Sequence, residues 1–443
     1  MSALKALAQT ILTNIDALEA AHAAQGSSVP LLDDLFKPSV VDSDPAATSA
    51  AREIAKAATE LAAIVRSPLE TLQECCMGMY TAPIIGFINE HNIADILLEA
   101  GPKGLHSDEI GKRIEADGSK VDRILRYLAT RYIFREVQPN VFANNKYSSL
   151  FLKRKSLSEI EADPLAKYDL APISAFAGIF TDEAFMSSQY LPQFLKDPGP
   201  YQSAFNIAIK DTINTFAWYD KPDNAVRGRR FAAGWKGIGD RFPPVLFTSA
   251  LDWKALSDGS TVVDVGANVG SATLTLAKEF PHLHYVVQDL EFVIAKEAKD
   301  FWNEKLPEAL TDGRVELQVH DFFKPMPISA DVYLLRRVVH DWPKAEAEKI
   351  LKNIRASAKP SSKLLICEEI MPHACAETSP FAADLAGLGK ASPSITAGDI
   401  HMMTMLGGRE RTIEEFVKLG DATGWKLESV KTGPLARLIY APA

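Results

Sequence analysis

The sequence predicts an α/β protein: an open, Rossmann-like sheet toward the C-terminus, preceded by a mostly helical N-terminal part. Three observations carry this. Residues 261 to 289 read strand, glycine turn, helix, strand, ending on Asp289. Strand-like and helix-like runs then alternate as far as Cys367. Through much of the first 155 residues, by contrast, apolar side chains step by three and four, the spacing of one helix face.

With 443 residues the chain suits two or three domains of ~100–200 residues each. The pattern divides it into a helical part over 1–155 and an α/β part over 156–443. A hydrophobic content of 47% is that of an ordinary globular core. The net charge of −9, with no basic run, excludes a nucleic-acid-binding surface. Cys75 and Cys76 are adjacent, while Cys367 and Cys375 are distant, which is neither a disulfide framework nor a zinc pattern. A reducing, cytoplasmic setting without a structural metal is expected. Met1 to Ala20 carries Asp16 and Glu19 and lacks the apolar centre of a signal peptide. Leu170 to Phe180 is broken by Pro172 and too short to span a bilayer, so no membrane partner is expected.

In chain order, Leu4, Leu7, Ile11, Ile15 and Leu18 mark one amphipathic helix. Gln25 to Ala47, with three prolines, reads as a connector, and Ile54, Ala58, Leu61 and Val65 mark a second helix ending near Pro68. Both stripes need a partner, either a second copy of the chain or their own domain. A helix over Ile84 to Ala100 stops at Gly101-Pro102. Ser107 is placed to cap Asp108 to Ile114, and Ser119 with Asp122 resembles a capping box for the helix through Tyr132. Phe134 to Val137 and Val141 to Ala143 form a hairpin, completing a winged-helix order. In an acidic chain that order points to dimerisation rather than DNA. Residues 176 to 253 hold 15 of the 38 aromatics, enough for some to line an apolar pocket in a helical segment over about 170–250.

Within the α/β part, Thr261 to Val265 is a buried strand, Gly266 opens the turn and Ser271 to Phe280 is the following helix. A pyrophosphate fingerprint would need glycine at 268 and 271, where Asn268 and Ser271 stand. What stands instead is Asp264, Gly266 and Gly270, with Asp289 19 residues further on, placed to accept ribose hydroxyls. Val315 to Val319 leads to His320-Asp321-Phe322, Asp331 to Val339 to His340-Asp341-Trp342, and Lys363 to Cys367 to Glu368-Glu369. Titratable groups thus gather at strand ends on one edge of the sheet. Taken singly, Asp341 is as well read as a cap for the helix after Pro343, and one of Glu368 and Glu369 as an exposed strand end.

These motifs together carry a resemblance. The loop Asp264 to Gly270 resembles the first motif of S-adenosylmethionine-dependent methyltransferases. The run Arg336 to Trp342, Glu368 28 residues after His340, and Gly407-Gly408-Arg409-Glu410-Arg411-Thr412 resemble the signature of plant- and fungal-type small-molecule O-methyltransferases. The resemblance covers most of the chain from about residue 70. It implies a Rossmann-like methyltransferase sheet behind a winged-helix-like dimerisation domain, a homodimer, S-adenosylmethionine as cofactor and a phenolic acceptor. It implies His340 as general base, Glu368 and Glu410 as the acids that flank it, and cofactor contacts at Gly266, Asp289, Asp321, Phe322 and Arg336. Met402 stands where an aspartate is common in that family. A second enzymatic reading is a pseudo-methyltransferase of the same fold catalysing a pericyclic or dehydration reaction; a third is a non-catalytic regulator.

Overall fold

In this computed structural model the described residues are 2–239, 242–375, 385, 392–433 and 435–443. They pack as two compact units: Met1–Phe185 with Asp223–Gly237, and Met186–Pro222 with Ile238–Ala443. The helical part therefore runs past residue 155, and the aromatic-rich stretch divides. Phe176 and Trp235 meet edge to face in the first unit, and Phe205 and Trp218 do so in the second.

The first unit opens with helices α1 (Ala3–Ala24) and α2 (Pro45–Val65), which pack against each other. Their predicted stripes are only half covered: Leu7, Ile11, Ile15, Leu18, Ile54 and Leu61 are partly buried, while Leu4 and Val65 are exposed. Helix α3 (Pro68–Met77) follows. The helix expected over Ile84 to Ala100 is two, α4 (Thr81–Glu90) and α5 (Ile93–Ala100). Asn92 between them takes φ 53°, a left-handed turn that asparagine tolerates better than most residues. Strand β1 (Leu105–His106) leads into α6 (Ser107–Arg113), followed by α7 (Gly118–Ala129), β2 (Arg135–Gln138) and β3 (Val141–Ala143). The caps differ from expectation by one or two positions. His106 accepts from the Asp108 N–H, leaving Ser107 as a buried first helical residue, and Asp117 rather than Ser119 caps α7. The three strands pair antiparallel in the order β1-β3-β2. Ile93, Leu97, Ile110, Val121, Leu125, Leu128, Phe134 and Phe142 form the core beneath them. Further helices of this unit include α8 (Pro172–Ile179) and α9 (Ala225–Gly239), the latter ending two residues past the unit's edge.

The second unit is built on a seven-stranded sheet of order β6-β5-β4-β7-β8-β10-β9. The first five, β4 (Thr261–Val265), β5 (His284–Asp289), β6 (Val315–Val319), β7 (Val332–Arg336) and β8 (Lys363–Glu368), are parallel. An antiparallel pair, β9 (Trp425–Lys431) and β10 (Ala436–Pro442), closes one side. Alternate residues of the central strands enter different cores. Val263, Tyr333, Leu335, Leu364 and Ile366 join one; Val262, Val332, Leu334 and Leu365 join the other. A sheet buried on both faces needs β-branched and aliphatic residues at consecutive positions, which is why these strands read as unbroken apolar runs. Helix α10 (Ser271–Glu279) covers one face; α11 (Lys344–Ser357) and α13 (Ile413–Asp421) cover the other, with α12 (Pro393–Leu406) preceding α13. The strand order reverses between β4 and β7, so their carboxyl ends flank the crevice where open α/β sheets bind ligands. Among the described residues no helix is long and apolar enough to cross a membrane.

Candidate active site

At the exit of β4 the chain turns through three left-handed residues, Gly266 (φ 66°), Asn268 (φ 54°) and Gly270 (φ 81°). A side chain at Gly266 would press on Val338 and Phe322, at 3.1 and 3.2 Å. Asn268 fits because its own carboxamide oxygen receives the Val269 N–H at 2.6 Å. The Asn268 N–H donates to Asp289 Oδ2 at 2.7 Å, and the Leu290 N–H to Oδ1 at 2.8 Å. Each Asp289 oxygen keeps a second lone pair, and burial raises this carboxyl above its ordinary range. Behind the loop, Asp264 is buried. Its Oδ2 accepts from Thr273 at 2.6 Å, whereas Oδ1 has no hydrogen-bond partner among the described residues. Burial pushes Asp264 up to about 6, against the pull of Thr273 and Arg336.

Asp321 and Phe322 follow β6. Asp321 Oδ1 holds the Phe323 N–H at 2.9 Å, and Phe322 stacks edge to face on Phe323 and Trp342. Arg336 ends β7, donates to Ser271 Oγ at 3.0 Å and lies over the Phe247 ring. Gly266, Asp289 and Arg336 thus frame the entrance to α10. The strand expected to run to Val339 stops at Arg336, because Arg337 takes φ 54° and turns the chain away. Arg337 pairs with Glu369 at 3.3 Å.

The turn that follows carries His340, only 4% exposed. Glu368 Oε1 accepts the N–H groups of Val338, Val339 and His340 at 3.0, 2.8 and 3.3 Å. Glu410 Oε1 lies 2.7 Å from His340 Nδ1, whereas Glu368 Oε2 is 3.9 Å away. The two acids that flank the ring therefore do different things: Glu410 holds the imidazole and Glu368 holds its backbone. Asp341 does not cap α11, whose N-cap position is Pro343; its carboxylate lies 3.3 Å from His340 Nε2. Burial opposes charge on His340, but Glu368, Asp341 and Glu410 outweigh it and raise the imidazole to about 9. Burial raises Glu368, while the charge of His340 and the hydrogen bond to it bring Glu410 below the usual range despite its burial. His340 Nδ1 and oxygens of the two glutamates lie within 4.8 Å of one another, a donor set that a divalent cation would also fit.

Three residues here were not singled out by sequence reasoning. Asp399 on α12 accepts the Glu410 N–H at 2.8 Å and holds the acid from a position three residues before Met402. Met402 itself is buried. His401, on the same helix, is pulled down to about 4 by burial and by the charge of His340. Arg411 is buried and donates to Val339 O and Trp342 O at 2.6 and 2.8 Å. A run of identical-looking methionines on an apolar helix gave no signal for the first two; the motif itself contained the third. Asp341 and Trp342 also border a small cleft with Asn206, Thr215, Phe216 and Leu406.

A sheet of this order, with its ligand loop after β4 and a carboxylate at the tip of β5, is the fold of S-adenosylmethionine-dependent methyltransferases. The residues present fit that cofactor: Asp289 has lone pairs for two ribose hydroxyls, and the orphaned Asp264 Oδ1 awaits a cationic donor such as an amino-acid ammonium. The chain belongs to the O-methyltransferase family, whose O-methyltransferase domain matches residues 227–426 and whose dimerisation domain matches 77–154. It is 36% identical to an O-methyltransferase of Armillaria gallica, over 100% of this chain and 99% of that one. It is 33% identical to 4-O-methyltransferase 1 of Phanerochaete chrysosporium, over 97% and 96% of the two chains. A solved structure described as a pericyclic reaction enzyme shares the fold, with TM-score 0.66 and 20% identity, covering 89% of this chain and 94% of that one.

Proposed function

We propose that the protein transfers a methyl group to the hydroxyl of a small phenolic acceptor, with His340 as general base and Glu368 and Glu410 as the acids that set its position and charge. The observation that carries this reading is the buried His340 held through Nδ1 by Glu410, which leaves Nε2 on the side of Asp341 and the cleft beyond. A phenol with pKa ~10 is mostly neutral at pH 7, so its oxygen attacks well only as its proton leaves. S-adenosylmethionine, when bound, would supply an activated methyl group, and Gly266, Asp289, Asp321, Phe322 and Arg336 would hold it. The rest is placement: in-line transfer gains most of its acceleration from holding the acceptor oxygen in line. Phe216 and Trp342 line the cleft beside Asp341, which suits an aromatic acceptor, and a relative named 4-O-methyltransferase 1 agrees with methylation at oxygen. The winged-helix-like order of α6, α7, β2 and β3 serves a homodimer in this reading.

The test is incubation with isotopically labelled methyl donor and a panel of mono- and dihydroxylated benzoates and cinnamates. Label in an O-methylated product, lost in His340→Ala, is the expected result. The fold shared with a pericyclic reaction enzyme keeps one alternative in view. An isomerised, unlabelled product would establish that alternative and end this reading.

A further inference from the structure

We propose that Arg411 is a positioning residue for methyl transfer, gripping the carbonyl side of the turn that carries His340 and so fixing where the imidazole stands. The proposal rests on the reading of His340 as base and adds how that base is held.

The turn from Val338 to Trp342 leaves β7 through a left-handed Arg337 and contains too few residues to hold itself by internal hydrogen bonds alone. Its amide side is taken by one carboxylate oxygen, Glu368 Oε1, which accepts three consecutive N–H groups. Its carbonyl side is taken by the segment Gly408 to Arg411. The Arg409 N–H donates to His340 O at 2.8 Å. The two terminal nitrogens of Arg411 reach Val339 O at 2.6 Å and Trp342 O at 2.8 Å, one carbonyl before the histidine and one two residues after it. Gly408 lets the two backbones approach this closely, since any side chain there would collide with His340 O.

Arg411 is itself fixed. It is 3% exposed, its carbonyl accepts the Met371 N–H at 2.9 Å, and it bridges Ile370, two residues beyond Glu368. Thr412 next to it starts α13 with a capping box. The acid on the amide side and the cation on the carbonyl side therefore hang on paired backbone. Glu410, immediately before Arg411, delivers the carboxylate to Nδ1, so one segment sets both the ring and the turn beneath it. The guanidinium fork gives each of the two carbonyls its own nitrogen at a fixed spacing, whereas a lysine carries all its donors on one nitrogen and fixes no such spacing.

A merely structural arginine would affect folding without moving the imidazole, and this separates the two roles. The full-length chain is compared as wild type, Arg411→Met, Arg411→Lys and His340→Ala. The short Nδ1–Glu410 contact should give a downfield imidazole N–H proton in the NMR spectrum, assigned by its loss in His340→Ala. We expect that proton to broaden or vanish in Arg411→Met while S-adenosylmethionine affinity by calorimetry stays within about two-fold, since the mutation leaves ground-state binding alone. Turnover on the best acceptor of the phenol panel should fall ~10–100-fold with little change in KM, the effect of a small misplacement of a reacting group. Arg411→Lys should recover part of both signals. An unchanged imidazole proton with unchanged turnover in Arg411→Met overturns the proposal, and so does loss of cofactor binding in both Arg411 variants. If instead His340→Ala retains turnover, the base reading fails, while the proton still reports whether Arg411 holds the ring.

Discussion

At the scale of single residues, the informative fact is that His340 stands among more negative than positive charge. Three carboxylates raise it to about 9 despite burial, with Arg337 opposing them. A general base must begin neutral, so turnover at saturating cofactor should climb with one proton between about pH 7 and 9. Glu410→Gln removes one of those charges and leaves only a neutral amide oxygen to accept from Nδ1. Its acid limb should move toward the ordinary histidine value of about 6.5 while the plateau drops about 10²-fold. Wild-type and variant profiles that superimpose would detach Glu410 from the base. The same shift bears on stability. A histidine raised from about 6.5 to about 9 on folding contributes stability that is full below 6.5 and is lost as pH passes through 9. Melting temperature should therefore decline over that window in wild type and decline less in His340→Ala. That His340, Glu368 and Glu410 come together was legible through the resemblance their motifs carry, not from any one residue taken singly. The distinct job of Glu368 was not, since it acts on backbone N–H groups and no pattern of side chains announces that. Asp399 was missed for the same kind of reason: its contact with the Glu410 N–H is defined by what α12 faces across the fold.

At the scale of elements, the loop from Val265 to Ser271 concentrates the demands of the proposed cofactor site. Its three left-handed residues bring the Asn268 N–H onto Asp289, so loop shape and carboxylate orientation are one feature. Asp289→Ala should weaken S-adenosylmethionine binding by about 1.5–3 kcal/mol, the range for hydrogen bonds to a charged group. Gly266→Ala should also weaken it, because the methyl group meets Phe322 and Val338 on a backbone already at φ 66°. Asn268→Gly keeps the left-handed turn and should bind nearly as wild type. Calorimetry giving equal affinities for wild type and the Asp289 and Gly266 variants would place the cofactor elsewhere. The loop was readable because strand, glycine and acid fall at fixed intervals. Element ends were less so. The β7 strand stops three residues before the apolar run does, because Val338 and Val339 are buried in the turn rather than in the sheet. Likewise α4 and α5 share one apolar periodicity across a break that only the backbone of Asn92 reveals.

At the scale of the whole molecule, the sheet was predictable because both its faces are buried within one unit, whereas the fate of the N-terminal helices depends on what lies outside the chain. Helices α1 and α2 cover each other, which answers part of the question their stripes raised. They leave Leu12 58% exposed, and beyond them Leu69 on α3 and Met79 are 73% and 58% exposed. Leu72, one turn along α3 from Leu69, is 61% exposed. Apolar residues gathered on neighbouring turns, running up to the dimerisation domain that begins at residue 77, form the kind of surface that buries itself against a copy. Light scattering should therefore give a mass near twice 48.5 kDa at micromolar concentration. Burying a leucine is worth about 1.5–3 kcal/mol, and a symmetric interface loses each one twice, so Leu69→Glu with Leu72→Glu removes roughly 6–12 kcal/mol of association before any cost of burying the acids. That corresponds to a dissociation constant weaker by about 10⁴ or more, enough to release monomers at the same concentration. A wild-type monomer would show that these faces meet something other than a second copy, and a variant that stays dimeric would move the interface away from α3.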